Sequence, residues 1–193
     1  MRLATLERGY PLVARLKLAV IRRLGGAAVE DAAKTFLYRP QWGRPFAAIL
    51  HTLLRGPSRW SVGERELFAA FISKLNRCSY CVGAHGAVAS KYVSDEVFQM
   101  ALDDWRTAPV RPEVRAMLSF VEKMTLAPDM LGSDDASALR AAGVDERDAL
   151  EGIYICWWFN AGNRLADAFG LEQPSPEALP RALRFLLLFG YRV

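Results

Sequence analysis

Two cysteines and a histidine near the middle of the chain have the spacing of a redox site. Cys78 and Cys81 are three residues apart, and His85 follows four residues after the second cysteine. On a helix these offsets bring the three side chains to one face. An imidazole one turn away can take a proton from a thiol, and the resulting thiolate is the reactive form. A second thiol nearby can capture the oxidised sulfur as a disulfide.

Glu66, twelve residues before Cys78, is the carboxylate best spaced to assist this histidine. A carboxylate hydrogen-bonded to an imidazole can hold its tautomer and pass protons. The neighbouring Glu64 is already accounted for, because Ser61 and Glu64 have the spacing of a helix capping box. The alternative for Glu66 is a solvated side chain on an exposed helix face.

The residues alone leave three interpretations of Cys78, Cys81 and His85 open. They form a redox dithiol with an imidazole base, or they ligate zinc, or they are a structural accident at a helix start. A structural zinc site needs four ligands, so His51, Cys156 or an acid would have to complete it. Otherwise we interpret Cys156 as a buried inert thiol and His51 as a core or interface histidine. We interpret residues 157–159 as core or interface aromatics.

The elements that carry these residues are predicted to be helical. The capping box begins a helix that runs to about Leu75, and Asn76 breaks or caps it. The CxxC motif then lies near the start of the next helix, which continues to about Lys91. The fold class is therefore predicted as all-α, with about eight to ten helices. Further helices are expected over residues 10–24, 27–37, 46–54, 94–108, 112–125, 133–143, 145–169 and 178–189, with Pro40, Gly43 and Pro45 lying before the third of these.

Composition excludes several classes of protein. The chain has 193 residues, 52% hydrophobic and 24% charged, which fits one soluble domain over residues 1–193. Its net charge of +4 is too weak and too dispersed to indicate a nucleic-acid partner. No apolar run is long enough to span a membrane, and basic residues interrupt the N-terminal apolar segment where a signal peptide would lie. Three cysteines do not make a disulfide framework, so we expect a reducing cytoplasm.

The stretch GERELFAAFISKLNRCSYCVGAH resembles the alkylhydroperoxidase D-like (AhpD-like) branch of the carboxymuconolactone decarboxylase-like superfamily. It is similar to the family pattern of glutamate, eleven residues, CxxC, three residues and histidine. The segment NRLADAFG, residues 163–170, is similar to a sequence following the family's late helix. The likeness covers about residues 35–172, with helical extensions at both ends.

This resemblance implies a homo-oligomeric thiol peroxidase that needs no metal or cofactor. It implies that Cys81 attacks the peroxide, that His85 and Glu66 form the proton relay, and that Cys78 resolves the sulfenic acid as a disulfide. Some members carry a second histidine before the second cysteine, where this chain has Tyr80. Because a tyrosine proton is far less available near neutral pH, this departure leaves the relay one member short and allows a low or specialised activity.

The function predicted from the sequence is a peroxidase that reduces hydroperoxides with electrons from an unidentified thiol or dithiol donor. One alternative is a redox-sensing or zinc-holding structural protein with little turnover. Another is a carboxymuconolactone decarboxylase-like enzyme, although that family's decarboxylases typically lack the CxxC. Measuring the metal content of the purified, reduced protein would distinguish the zinc-holding alternative from the peroxidase.

The resemblance and the apolar stripes over residues 46–54 and 184–191 predict a homo-oligomer, because one domain seldom buries so many apolar helix faces. Light scattering of the purified protein should therefore give a mass that is a multiple of the chain mass. A stable monomer at micromolar concentration would contradict this prediction.

Overall fold

Within residues 2–192, which a computed structural model describes, the chain forms ten α-helices and no β-strand. A short 3₁₀ helix, Ala4–Glu7, precedes the first α-helix, and another, Pro128–Met130, lies between the seventh and the eighth. The all-α prediction is confirmed. The helices are α1 (Leu12–Gly25), α2 (Ala27–Leu37), α3 (Pro40–Arg55), α4 (Val62–Leu75), α5 (Ser79–Ala89), α6 (Asp95–Asp104), α7 (Pro112–Leu126), α8 (Ser133–Ala141), α9 (Glu146–Phe169) and α10 (Leu179–Phe189).

The helix boundaries largely follow from local capping signals. Ser61 accepts a hydrogen bond from the Glu64 amide, and the Glu64 carboxylate accepts one from the Ser61 amide, so the predicted capping box is formed. Asp145 caps α9 by accepting a hydrogen bond from the Asp148 amide, and Gly170 ends that helix in the left-handed conformation. These signals need only a few neighbouring residues, which explains why the sequence predicts them well.

The start of α3 differs from the prediction. The helix begins at Pro40, and Gly43 and Pro45 lie inside it rather than before it. Proline is favoured at the first helical position, where the missing N–H would have no helical partner. Gly43 is buried and donates its N–H to the Arg39 carbonyl at 2.8 Å, which continues the helix past Pro40. Tertiary packing therefore outweighs the local proline and glycine signals.

Helix α4 is the central element of the larger core. It packs against α5, α7 and α9, and its Phe68, Ala70 and Ile72 side chains are completely buried. A second, smaller core joins α1, α2 and α10 through Leu18, Leu37 and neighbouring residues. The candidate redox residues lie between these two cores, because α5 contacts both α4 and α10.

Helix α1 has two apolar sides. Its buried side carries Leu18 and Ile21, as expected for a helix that packs on the domain. Its other side is exposed and carries Leu12, Leu16 and Val20. None of the helices within residues 2–192 has both the length and the apolar character that crossing a membrane requires.

The contact between α2 and α3 depends on the absence of a side chain at Gly43. A Cβ atom there would lie 2.0 Å from the Phe36 carbonyl oxygen, which belongs to the backbone and cannot rotate away. We expect Gly43→Ala to lower the free energy of unfolding by about 1–3 kcal/mol, measured by chemical denaturation. Gly132→Ala is the control, since a Cβ there meets nothing within 4 Å. Equal losses in both variants would contradict the proposed close contact.

Candidate functional site

The two cysteines of the CxxC motif lie at the N-terminus of α5. Cys78 is the N-cap residue and Cys81 the third residue of the helix, so the motif is near a helix start as predicted. Arg77 precedes them with a φ of 59°, which turns the chain sharply between α4 and α5. The two sulfur atoms lie 3.1 Å apart as free thiols. They are close enough that small side-chain movements would bring them to bonding distance.

The thiols are coupled to each other rather than to His85. The hydrogen bond with Cys81 lowers the pKa of Cys78, whereas the hydrogen bond with Cys78, together with burial, raises the pKa of Cys81. The pKa of Cys81 is thus shifted upward in this reduced state, opposite to the shift that a charged imidazole beside the sulfur would cause. Within residues 2–192 no hydrogen bond joins the imidazole to either sulfur. The pair therefore loses its first proton more easily than an isolated thiol does, and its second proton less easily.

Glu66 is fully buried beside His85. Its side chain is 0% exposed, and its Oε2 atom lies 2.7 Å from Nδ1 of His85. The alternative of a solvated glutamate is therefore wrong. Burial by itself raises the pKa of Glu66, but the charges and hydrogen bonds of His85 and Arg55 outweigh burial and lower it. An ionised Glu66 accepts the Nδ1 proton, which leaves Nε2 of the neutral imidazole as the basic nitrogen.

Two further residues complete this cluster, and the sequence did not predict either. Arg55, from the end of α3, donates from Nη1 to Oε1 of Glu66 at 2.5 Å. Tyr191, which follows α10, donates its hydroxyl proton to the same carboxylate at 2.8 Å. They lie 11 and 125 residues from Glu66 in the chain, so no local spacing reveals them. Glu66 thus joins residues from α3, α5 and the segment after α10.

Cys81 and His85 line the same cavity, which has a volume of about 120 Å³. This volume exceeds the roughly 30 Å³ that a water molecule occupies, so the cavity can hold a small molecule between the two side chains. The fully buried Cys78 is not among the lining residues. Aromatic and aliphatic side chains form most of the wall, including Phe36, Trp42, Phe46, Leu50, Tyr80, Trp158, Leu165, Phe169, Leu186 and Tyr191.

An aromatic series runs from the surface to the imidazole. Trp42 is 48% exposed and stacks on Phe46, which stacks on Trp158 with ring centres 4.7 Å apart. Trp158 contacts Phe159, and the Phe159 ring meets His85 edge-on at 4.7 Å. Trp158 and Phe159 thus contribute to the core, as expected. In addition, Trp158 lines the cavity and Phe159 packs against the imidazole.

The remaining polar candidates have structural surroundings. Cys156 is fully buried and burial raises its pKa, as expected for an inert thiol. Tyr80 lines the cavity, and burial raises the pKa of its phenol, so it holds its proton more tightly than a free tyrosine. His51 accepts a hydrogen bond from the Tyr191 amide. Within the described range 2–192, no three His, Cys, Asp or Glu side chains come together in a group that could hold a metal ion, so the zinc alternative gains no support.

A buried amide network supports the turn that carries the cysteines. Asn163 on α9 is fully buried and donates to the Ser73 hydroxyl at 2.9 Å. Asn76 donates to Asn163 at 3.0 Å. Asn163 also lies beside Cys81, where it partly offsets the rise in the thiol pKa. The resemblance segment at residues 163–170 therefore begins with a residue that touches the site.

Comparison with known proteins gives structural neighbours over most of the chain. A peroxidase-related protein with an AhpD core from Ralstonia eutropha JMP134, itself uncharacterised, shares 29% identity with a TM-score of 0.75, over 90% of this chain and 91% of that one. An uncharacterised peroxidase-related protein from Silicibacter sp. TM1040 shares 27% identity at the same TM-score of 0.75, over 88% and 89% of the two chains.

Two further comparisons say less about the chain, because one shares only the fold and the other covers only part of the sequence. The debrominase Bmp8 has a TM-score of 0.67 over 89% of this chain and 92% of its own, but at 14% identity this shows only a common fold. The uncharacterised protein YdfG of Bacillus subtilis (strain 168) is 28% identical over 107 residues, or 55% of this chain and 73% of that protein. No protein-family model matches the chain.

The burial of Glu66 leads to a prediction about its role. Glu66→Gln removes the charge that holds the Nδ1 proton, and general acid–base assistance is typically worth ~10²–10⁴-fold. We therefore expect the rate of thiol oxidation by an organic hydroperoxide to fall at least tenfold, roughly. The variant also leaves the partly buried Arg55 without its anion, so circular dichroism should first establish that it is folded.

Glu64→Gln is the matched control for this measurement. Glu64 caps α4 and pairs with Arg111 at 2.6 Å, away from the imidazole. Its loss should cost about 1 kcal/mol of stability and leave the oxidation rate nearly unchanged. Comparable rate losses in the two variants would mean that Glu66 has no special role.

Proposed function

The chain belongs to the alkylhydroperoxidase D-like superfamily, and on that premise we propose that it is a thiol-dependent peroxidase that acts through Cys78 and Cys81. The observation that carries this proposal is the 3.1 Å separation of two free sulfur atoms beside a cavity that one of them lines. A dithiol at this distance can be oxidised to a disulfide without movement of the backbone.

In the proposed first step, Cys81 attacks the peroxide. The sulfur of Cys81 bonds to the terminal peroxide oxygen, the O–O bond breaks, and the alkoxide leaves. His85 takes the thiol proton through its Nε2 atom and returns it to the alkoxide, which departs as an alcohol. Because His85 and the thiols have no direct hydrogen bond, a water or the peroxide itself in the cavity relays the proton.

In the second step, Cys78 attacks the sulfenic acid on Cys81, water leaves, and a disulfide forms. An external thiol or dithiol then reduces this disulfide and restores both free thiols. Cys78 ionises more easily than Cys81, but it is 0% exposed and does not line the cavity. We therefore assign the attack on peroxide to Cys81, since the two sulfurs can exchange a proton across their hydrogen bond.

The cavity wall favours an organic hydroperoxide over hydrogen peroxide. Few polar groups other than His85, Cys81 and the two tyrosine hydroxyls line it, and apolar walls gain little from a small polar substrate. A hydroperoxide with an apolar group of modest size would bury that group against Phe46 and Trp158. No cofactor or metal takes part in the proposed cycle.

We also propose that the protein is a homo-oligomer. Exposed leucines on α1 and exposed residues Leu187, Leu188 and Phe189 on α10 lie on helices that pack against each other. Together they make an apolar surface larger than scattered single residues would. A second copy of the chain is the partner we propose for it.

The division of labour between the cysteines can be tested by substitution. Cys78→Ser should consume one equivalent of cumene hydroperoxide and stop, with a sulfenic acid on Cys81 that dimedone captures. Cys81→Ser should not react, because neither of the two remaining thiols, Cys78 and Cys156, lines the cavity. Mass spectrometry locates the adduct, and thiol titration follows the loss of free sulfhydryls. An adduct on Cys78 would reverse the two roles, and absence of reaction in the reduced unmodified chain would contradict the peroxidase proposal.

A further inference from the structure

The segment after α10 returns to the centre of the site. Gly190 has a φ of 61°, and its surroundings are so close that a Cβ atom would lie 2.7 Å from the His51 ring. This turn directs Tyr191 inward, where its amide donates to Nδ1 of His51 at 3.3 Å. The tyrosine ring lies 5.4 Å from the His85 ring, and the Arg55 guanidinium covers it at 5.0 Å.

The hydroxyl of Tyr191 contacts both members of the acid–base pair. It lies 2.8 Å and 3.1 Å from the two carboxylate oxygens of Glu66, and 3.1 Å from Nδ1 of His85. With the 2.7 Å contact between Glu66 and His85, these distances close a triangle of three groups. Each group in the triangle can influence how firmly the others hold a proton.

Tyr191 acts in this triangle as a proton donor to the carboxylate. Burial and the adjacent negative charge of Glu66 raise the pKa of Tyr191 well above its ordinary value, so the phenol keeps its proton. A donated hydrogen bond to a carboxylate stabilises the charge and reduces its attraction for other protons. The donor therefore competes with the imidazole for the same carboxylate charge.

We propose that Tyr191 is a positioning residue whose hydroxyl, donated to Glu66, sets the pH range in which His85 is free to accept a proton. When the Tyr191 hydroxyl donates to Glu66, the hydrogen bond partly neutralises the carboxylate charge. The carboxylate then stabilises the imidazolium form of His85 less strongly than it would without the hydroxyl. Without it, the carboxylate holds the imidazolium more strongly, and a higher pH is needed to free the base. The segment after α10 is then part of the reacting centre rather than an appendage.

Other ionisable groups face the triangle. Their charges must stay the same in the variants if the influence of Tyr191 on His85 is to be measured. Arg55 contacts Glu66 directly, and its Nη1 atom is paired there. His51 and Arg192 lie on the outer side, where Nε of Arg192 contacts Nε2 of His51 at 3.0 Å. Burial and the charges of the two arginines lower the pKa of His51, which disfavours its charged form.

The experiment follows the His85 ring by nuclear magnetic resonance during a pH titration of the reduced protein. The chain has only two histidines, so a His51→Gln background leaves one ring signal to follow. Tyr191→Phe should move the His85 titration midpoint to higher pH by roughly half a unit or more, equivalent to about threefold in proton affinity. Tyr191→Leu, which also removes the hydroxyl, should move it in the same direction.

Tyr154→Phe is the matched control, because Tyr154 lies on α9 and is 48% exposed. Its titration midpoint should equal that of the parent protein. An unchanged midpoint in Tyr191→Phe, a shift to lower pH, or the same shift in Tyr154→Phe would each overturn the proposal. Resolved spectra in every variant show that the chain is folded, so a folding defect cannot imitate the result.

The role of Tyr191 in turnover rests on the proposed peroxidase function, but the titration does not. If peroxide is reduced, the acidic limb of the pH–rate profile for thiol oxidation should move with the His85 midpoint, and the rate on that limb, well below the midpoint, should fall about threefold. The rate at high pH should stay within about twofold of the parent, since the base is then free in both. A uniform loss at all pH values would indicate a structural role and overturn the proposal. If no peroxide is reduced, only the peroxidase proposal fails.

Discussion

The buried carboxylate of Glu66 is the interaction on which the rest of the site depends. An ionised carboxylate removed from water is costly unless charged and hydrogen-bonding partners surround it. Arg55, His85 and Tyr191 supply those partners from three separate segments of the chain. The requirement to satisfy one charge therefore fixes the relative arrangement of α3, α4, α5 and the segment after α10, and with it the orientation of the imidazole at the cavity.

The features of the fold that could be predicted from the sequence are those that depend on residues close together in the chain. The capping box at Ser61, the N-cap at Asp145 and the position of Cys78 at a helix start each depend on residues within one turn. The pairing of Glu66 with His85 is a longer contact, and it was predicted because a recognisable motif contains both. The beginning of α3 was missed, since Gly43 and Pro45 are ordinary helix-breaking signals until the packing against Phe36 is known.

The rest depended on contacts that have no sequence pattern. Arg55 is one of many basic residues on amphipathic helices. Tyr191 lies in a segment whose sequence pattern indicates only the end of an apolar helix. The coupling of Cys78 and Cys81 likewise requires the distance between the sulfurs, which spacing alone does not give. Spacing predicted that the imidazole activates a thiol directly, whereas the structure brings the sulfurs to each other and the imidazole to a carboxylate.

The short separation of the two cysteines also has a thermodynamic consequence. A bond between Cys78 and Cys81 would close a loop of only four residues at the start of α5. In the chain-entropy model such a small ring restricts the unfolded chain less than a long one, and a four-residue loop adds about 2 kcal/mol to the free energy of unfolding, compared with about 3 kcal/mol for a 15-residue loop. The oxidised chain would therefore resist unfolding somewhat more than the reduced chain. Oxidation and reduction would change the chemistry at the N-terminus of α5, while the surrounding helices would remain folded in both states of the dithiol.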